Sequence, residues 1–149
     1  EYNKFNPSAE EINAGRLAHD MIGNLNHGLN SFFDWNILLD KEGGPNHVGN
    51  YCDAPFLYDV EHKELIQRMS ADYYWHFSHF IREGAVRLGF SRYTDAIDVT
   101  AWENPDGTIV LILLNRGVEA VPVHIRLQGK EADITVSARS IVSGVVSGR

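Results

Sequence analysis

Three side chains that could do chemistry interrupt an apolar run of the sequence. Asp34, Trp35 and Asn36 lie within residues 29–39, and most of the other residues of that run are apolar. If the run is a strand of a parallel sheet, they lie toward its carboxyl end, where such sheets carry ligand-binding loops. The alternative is that Asp34 and Asn36 hydrogen-bond loop backbone while Trp35 fills the core, because buried polar groups need partners. The pattern by itself leaves both interpretations open.

The segment that follows, residues 41–50, has the composition of a constrained loop. Gly43 and Gly44 permit positive φ angles, and the proline after them fixes the next turn. The polar side chains on this backbone are Asn46, His47 and Asn50. Such a loop can present donors and acceptors to a ligand, or it can be a purely structural Ω-loop.

Neither a metal site nor a cofactor is predicted. His76 and His79 stand three positions apart and could share a metal ion, but no Cys pair or HExxH pattern accompanies them. Cys52 is the only cysteine, so no disulfide can form within the chain. The fold must therefore be held together by packing.

The composition is that of a globular protein with an acidic balance. Of the 149 residues, 44% are hydrophobic and 22% are charged, and the formal net charge is −7. This charge argues against a nucleic-acid partner, because phosphate binding needs clustered Lys and Arg. No stretch resembles a signal peptide or a membrane span. The compartment is left open, since both a secreted and a cytoplasmic protein fit these features.

The first helix and the run after it predict an α/β unit. The helix covers residues 8–26, with a capping box formed by Ser8 and Glu11 and with Gly28 able to end it. Its apolar stripe consists of Ala14, Leu17, Ala18, Met21, Ile22 and Leu25. Residues 29–39 are apolar at both alternating sets of positions, which is typical of a strand covered on both faces in a parallel sheet.

A second helix is predicted over residues 70–83, and short strands follow it. Ser70 can cap this helix and Gly84 can end it, with an aromatic face that includes Tyr73, Tyr74 and Phe77.

The chain after this helix has the pattern of antiparallel strands. Residues 97–101 alternate, the Asn-Pro-Asp-Gly sequence at 104–107 is a strong turn, and residues 109–114 form a continuous apolar run suited to a central strand. Further strands are predicted around residues 121–127, 134–136 and 141–146. We therefore predict two domains, an α/β part over 1–84 and an antiparallel β-sandwich over 85–149.

Three segments together resemble the C-terminal portion of glycoside hydrolase family 30, the glucosylceramidase-like β-glycosidases. They are DWNILLDKEGGPNHVGNYCDAP, HFSHFIREGAVRLG and PDGTIVLILLNR. The resemblance implies the end of a (β/α)₈ TIM barrel, with its last strand and last two helices, followed by a β-sandwich side domain. It also implies retaining hydrolysis of β-glucosidic bonds by two glutamates. Both glutamates are expected upstream of this chain, Glu1 being a tempting but poorer match, so the chain is expected to be an inactive fragment.

The resemblance also implies which residues bind the carbohydrate or glycoside substrate. Trp35 would form a wall of the sugar pocket and Asn50 would lie near the same subsite, while Asp34, Asn36 and Asn46 would support the loop. His47 occupies the position where many family members carry Trp in GGPNW, so the leaving-group side can differ. The fragment is expected to associate with itself or to dock to the missing barrel.

Two other classes of protein stay open. A non-catalytic carbohydrate-binding β-sandwich could use Trp75 or Trp102 as a sugar platform, although it would not need the DWN segment or two long helices. A purely structural or interaction domain is the third possibility.

Overall fold

The computed structural model describes residues 9–147. The chain divides into two compact units, one ending at Trp75 and the other beginning at His76. The domain boundary predicted after residue 84 stays a prediction. Among residues 9–147, no helix is long and apolar enough to cross a membrane.

The first unit begins with α1 (Glu10–Asn26), which buries most of the predicted apolar stripe. The buried side chains are those of Asn13, Ala14, Leu17, Ala18, Met21 and Ile22. Gly28 follows the helix with a φ of 98°, the left-handed conformation expected there. Ser8, the predicted cap, lies outside the described residues, and Ala9 at the start of the helix makes no side-chain capping bond.

A small mixed sheet follows α1. It contains β1 (Leu38–Asp40), β2 (Phe56–Asp59) and β3 (Glu64–Gln67), with β1 parallel to β2 and β2 antiparallel to β3. The buried side chains of Leu39, Ala54 and Leu57 form its core. The β2–β3 hairpin was not predicted from the sequence. The parallel β1–β2 pair is the α/β feature of this unit.

The predicted strand over residues 29–39 is wrong in its first nine residues, because only Leu38 and Leu39 of it belong to β1. Phe33, Trp35 and Ile37 are 89%, 83% and 73% exposed rather than covered. A strand buried on both faces needs neighbours on both edges, and within the described residues no strand ladder includes residues 29–37, where the Phe56 N–H donates to the Ile37 carbonyl.

The second helix, α2, runs over Met69–Phe80, so it starts one residue before the predicted cap and stops three residues early. Tyr73 and Phe77 are buried, as the aromatic face predicted. The early end has a local cause in the second unit. The side chain of Asn104 donates to the Phe80 carbonyl at 2.9 Å and accepts from the Arg82 N–H at 3.0 Å. These bonds replace the helical ones.

The second unit is antiparallel throughout its described strands, as predicted. One sheet has the order β4 (Val86–Arg87), β5 (Asp98–Glu103), β6 (Ile109–Asn115), β9 (Ser140–Val146), and β7 (Val121–Leu127) pairs with β8 (Lys130–Val136). The β5–β6 hairpin and the central position of β6 are both confirmed. Buried Ile97, Leu113 and Val136 form the core of this unit.

Candidate functional site

Asp34 lies between the backbone of Trp35 and the side chain of Tyr74 and accepts a hydrogen bond from each. One carboxylate oxygen, Oδ1, accepts the Trp35 backbone N–H at 2.7 Å, and the other, Oδ2, accepts the hydroxyl of Tyr74 on α2. The Trp35 indole is 83% exposed, so it does not fill a core made by residues 9–147. Asn36 beside it is partly buried. Asp34 thus holds the backbone of Trp35, and Trp35 presents its side chain outward.

The loop after β1 is closed by Asp40. Its Oδ1 accepts the backbone N–H of Glu42 at 3.0 Å and of Gly44 at 2.7 Å, and its own N–H donates to the Gly44 carbonyl at 2.7 Å. Gly43 has a φ of 85°, as expected, but Gly44 is not in the left-handed region. A Cβ at position 44 would lie 3.0 Å from Asp40 Oδ2, so a larger residue there would need a small shift of the Asp40 side chain. The Gly44–Pro45 peptide is cis.

The three polar residues predicted on this loop have different surroundings. Asn46 accepts the Gly49 N–H at 2.6 Å through Oδ1 and so stabilises the turn that contains His47. The side chains of His47 and Asn50 are exposed, and neither makes a hydrogen bond to another residue within 9–147. They can therefore donate to or accept from a ligand.

The structure joins Asp34 to Trp35 but does not link this pair to the loop residues by any hydrogen bond. A small hollow opens beside Asp34 in the same unit, lined by Asn13, Leu17, Asp34, Asp53, Ala54, Pro55 and Ser70. Trp35, His47 and Asn50 do not line it. The candidate site is therefore two separately braced segments, residues 34–36 and 46–50.

A mostly buried ion-pair network, which no sequence pattern predicted, lies in the same unit. Arg68, at the start of α2, donates through Nη1 to Glu10 Oε2 at 3.0 Å and through Nη2 to Asp53 Oδ2 at 3.4 Å. The other oxygen of Glu10 accepts the backbone N–H of Met69. The network ties α1, the segment before β2 and the start of α2 together. No local pattern marks these residues, because the partners lie up to 59 positions apart in the chain.

A second charged group lies on the β2–β3 hairpin. Buried Asp59 accepts from Lys41 Nζ and from His62 Nδ1, each at 2.7 Å, and from two backbone N–H groups. The hydrogen bond from Lys41, together with those from His62 and the backbone, holds the pKa of the Asp59 carboxyl far below its ordinary range. The bond between Lys41 and Asp59 also raises the pKa of Lys41. Asp59, Glu61 and His62 could together approach a cation, but the Lys41 ammonium already neutralises Asp59.

Acidification is expected to remove the stabilisation that Asp59 contributes. Because its pKa is lower in the folded protein than the ordinary value of 3.8, the contribution is fully present above about pH 5 and is lost as the pH falls further. The difference in unfolding free energy between the wild type and Asp59→Asn should therefore be constant above about pH 5 and shrink toward pH 2. Urea titrations of the purified chain at each pH measure it. An equal difference at pH 3 and pH 7 would contradict the assignment.

The histidines and tryptophans considered for a metal site or a sugar platform have other contacts. His76 Nδ1 lies 2.8 Å from Ser143 Oγ, and His79 packs edge-on against Phe80. Trp102 is only 8% exposed and donates its indole N–H to Thr100 Oγ1 at 2.8 Å, so it cannot serve as a sugar platform. Trp75 is half exposed on α2.

Two family models match the chain one after the other. The model described as the glycosyl hydrolase family 30 TIM-barrel domain matches residues 10–81, and the family 30 beta sandwich domain matches residues 84–144.

Known proteins match over the same range. Lysosomal acid glucosylceramidase of Mus musculus is 37% identical over 112 residues, covering 74% of this chain and 22% of the mouse protein. Putative glucosylceramidase 4 of Caenorhabditis elegans is 28% identical over 141 residues, covering 87% of this chain and 26% of the worm protein. The chain thus spans about a quarter or less of the length of these two relatives.

Two solved structures are similar to the chain. The crystal structure of SrfJ from Salmonella typhimurium has a TM-score of 0.92 at 33% identity, covering 97% of this chain and 32% of that one. An endo-β1,6-glucanase has a TM-score of 0.77 at 26% identity, covering 89% of this chain and 31% of that one.

Proposed function

Because the chain belongs to glycoside hydrolase family 30, we propose that it is the C-terminal portion of a retaining, glucosylceramidase-like β-glycosidase. The observation that carries this is the order of the two family matches, barrel and then sandwich, over nearly the whole chain. The 37% identity to a lysosomal acid glucosylceramidase supports a β-glucoside as the substrate. The exposed His47, in the position where many family members carry Trp, allows another group on the leaving side.

Retaining hydrolysis needs two carboxylates about 5 to 5.5 Å apart, one as nucleophile and one as acid and base. Four aspartates of the first unit are already engaged in contacts within this chain. Asp34 holds the Trp35 backbone and Asp40 holds the loop backbone, while Asp53 and Asp59 are paired with Arg68 and Lys41. We therefore assign both catalytic glutamates to a part of the enzyme upstream of this chain.

The residues of this chain would then bind and orient the sugar. The exposed Trp35 indole offers an apolar face to the ring and an N–H to a hydroxyl, which is the usual way that an aromatic side chain holds a sugar. Asn50 and His47 would provide polar contacts from the loop that Asp40 and Asn46 brace. No cofactor is part of this proposal.

Activity of the isolated chain separates this proposal from its rivals. The purified 149-residue chain should not hydrolyse an aryl β-glucoside, whereas the longer enzyme that contains it should do so with retention of configuration. Specific turnover by the chain alone would contradict the assignment of both glutamates upstream. A longer enzyme without glycosidase activity would contradict the proposed function itself.

The exposed apolar residues near Trp35 suggest how the isolated chain behaves. Phe33, Ile37 and Leu38 are all at least 49% exposed in the described residues. We propose that this face is covered either by further copies of the chain or by the rest of the barrel. Light scattering of the same sample measures the outcome, and a stable monomer at high micromolar concentration would contradict it.

A further inference from the structure

We propose that Tyr74 of α2 is a positioning residue for the sugar-binding Trp35 and acts through Asp34. This inference rests on the proposed function. Tyr74 was predicted only as part of an aromatic packing face, and the hydrogen bond to Asp34 gives its hydroxyl a separate role.

Two hydrogen bonds through Asp34 connect α2 to the backbone of Trp35. The Tyr74 hydroxyl donates to Asp34 Oδ2, and Asp34 Oδ1 accepts the Trp35 backbone N–H at 2.7 Å. Each carboxylate oxygen thus has a donor, and the two ends of the contact lie 40 positions apart. A phenylalanine would pack in the same place but would leave Asp34 Oδ2 without this donor.

Within the described residues, the segment that carries Trp35 has little regular structure. No strand ladder includes residues 29–37, where the Phe56 N–H donates to the Ile37 carbonyl at 3.2 Å, and the Trp35 indole is 83% exposed. By contrast, α2 is firmly placed at its start, where Arg68 is buried between Glu10 and Asp53. Through its two oxygens the Asp34 carboxylate therefore links the Trp35 backbone to this helix.

Asp34 is also better suited to support than to contact with sugar. Each of its oxygens already accepts a donor of this chain, so only about two of its four lone-pair sites are left for any other donor. Trp35 by contrast has its side chain directed outward. In this proposal Trp35 contacts the sugar, and Asp34 and Tyr74 hold Trp35 in position.

The test is Tyr74→Phe in the longer enzyme, assayed on an aryl β-glucoside. We expect kcat/KM to fall about tenfold, because a small displacement of a binding group is costly in a preorganised site. The melting temperature should stay within about 2 °C, since the ring and its packing are kept. Tyr58→Phe is the matched control, because the Tyr58 hydroxyl has no hydrogen-bond partner within residues 9–147. It should leave kcat/KM unchanged.

A double-mutant cycle distinguishes positioning from general stability. In a Trp35→Ala background, Tyr74→Phe should cost less than twofold, because the group that it positions is gone. Asp34→Asn should lower kcat/KM by a similar factor, and the two changes together should not multiply. The inference would be overturned if the losses in kcat/KM caused by Tyr74→Phe and by either of the other two changes simply multiplied. It would also be overturned if the Tyr74→Phe enzyme kept the wild-type kcat/KM. If the wild-type enzyme hydrolyses no glycoside, the proposed function fails first.

Discussion

Replacing Arg68 by Met is expected to lower the free energy of unfolding of the first unit by about 3 kcal/mol. The Arg68 side chain is 8% exposed and the Asp53 side chain is 9% exposed, so the substitution would leave a buried carboxylate without its cation. Glu10 would lose the same partner, although it is more exposed and keeps its bond to Met69. Urea unfolding of the purified chain, followed by circular dichroism at 222 nm and pH 7, measures the change.

Arg16→Met is the matched control for this experiment. Arg16 lies on the exposed face of α1 in the same unit, and it forms no ion pair with another residue of the described range 9–147. The same chemical change at this position should alter the unfolding free energy by less than about 0.5 kcal/mol. Equal effects at both positions would show that loss of positive charge, and not the buried network, determines the result.

The sequence predicted the second unit well because its signals are local. Strict alternation marks β7, and a continuous apolar run marks the central β6. The turn between β5 and β6 is determined by residues 104–107, whose Asn104 accepts the Gly107 N–H at 2.8 Å. Each of these signals lies within a few residues of the structure that it specifies. The predicted fold class, the end of a TIM barrel followed by a β-sandwich, is confirmed.

The first unit was harder to predict because its structure depends on distant partners. Residues 29–37 carry the composition of a buried strand, but strand formation needs a ladder of hydrogen bonds to neighbouring strands, and the described residues provide none for this segment. The end of α2 depends on Asn104, which lies 24 positions beyond Phe80. Glu10 lies in the first turn of α1, and its carboxylate reaches the start of α2. None of these partners can be chosen from periodicity.

The candidate site shows the same contrast. The composition of residues 41–50 correctly indicated a constrained loop, and Gly43 has the positive φ that it predicted. The close approach of Gly44 to Asp40 and the bond from Tyr74 to Asp34 could not be predicted, because both depend on three-dimensional proximity. Sequence patterns therefore located the segments, and the structure identified the residues that brace them.

Replacing Trp35 by Ala in the longer enzyme is expected to lower kcat/KM by roughly 2 to 4 kcal/mol, a fall of about 30-fold to 1000-fold. The indole is 83% exposed in the described residues and its backbone is held by Asp34, so the side chain is available to a ligand and contributes little to this unit's core. The melting temperature should therefore change little. Steady-state kinetics on an aryl β-glucoside, together with thermal unfolding, measure both quantities.

Two further variants make the Trp35 prediction specific. Trp35→Phe should lose less than Trp35→Ala, because a phenyl ring keeps an apolar face for the sugar but has no N–H to donate. Trp75→Ala removes the half-exposed indole of α2, which is the rival sugar platform, and should leave kcat/KM within about threefold of the wild type. Unchanged kinetics with a lowered melting temperature for Trp35→Ala would assign Trp35 to the core of the complete barrel. A large loss for Trp75→Ala alone would move the sugar contact to α2.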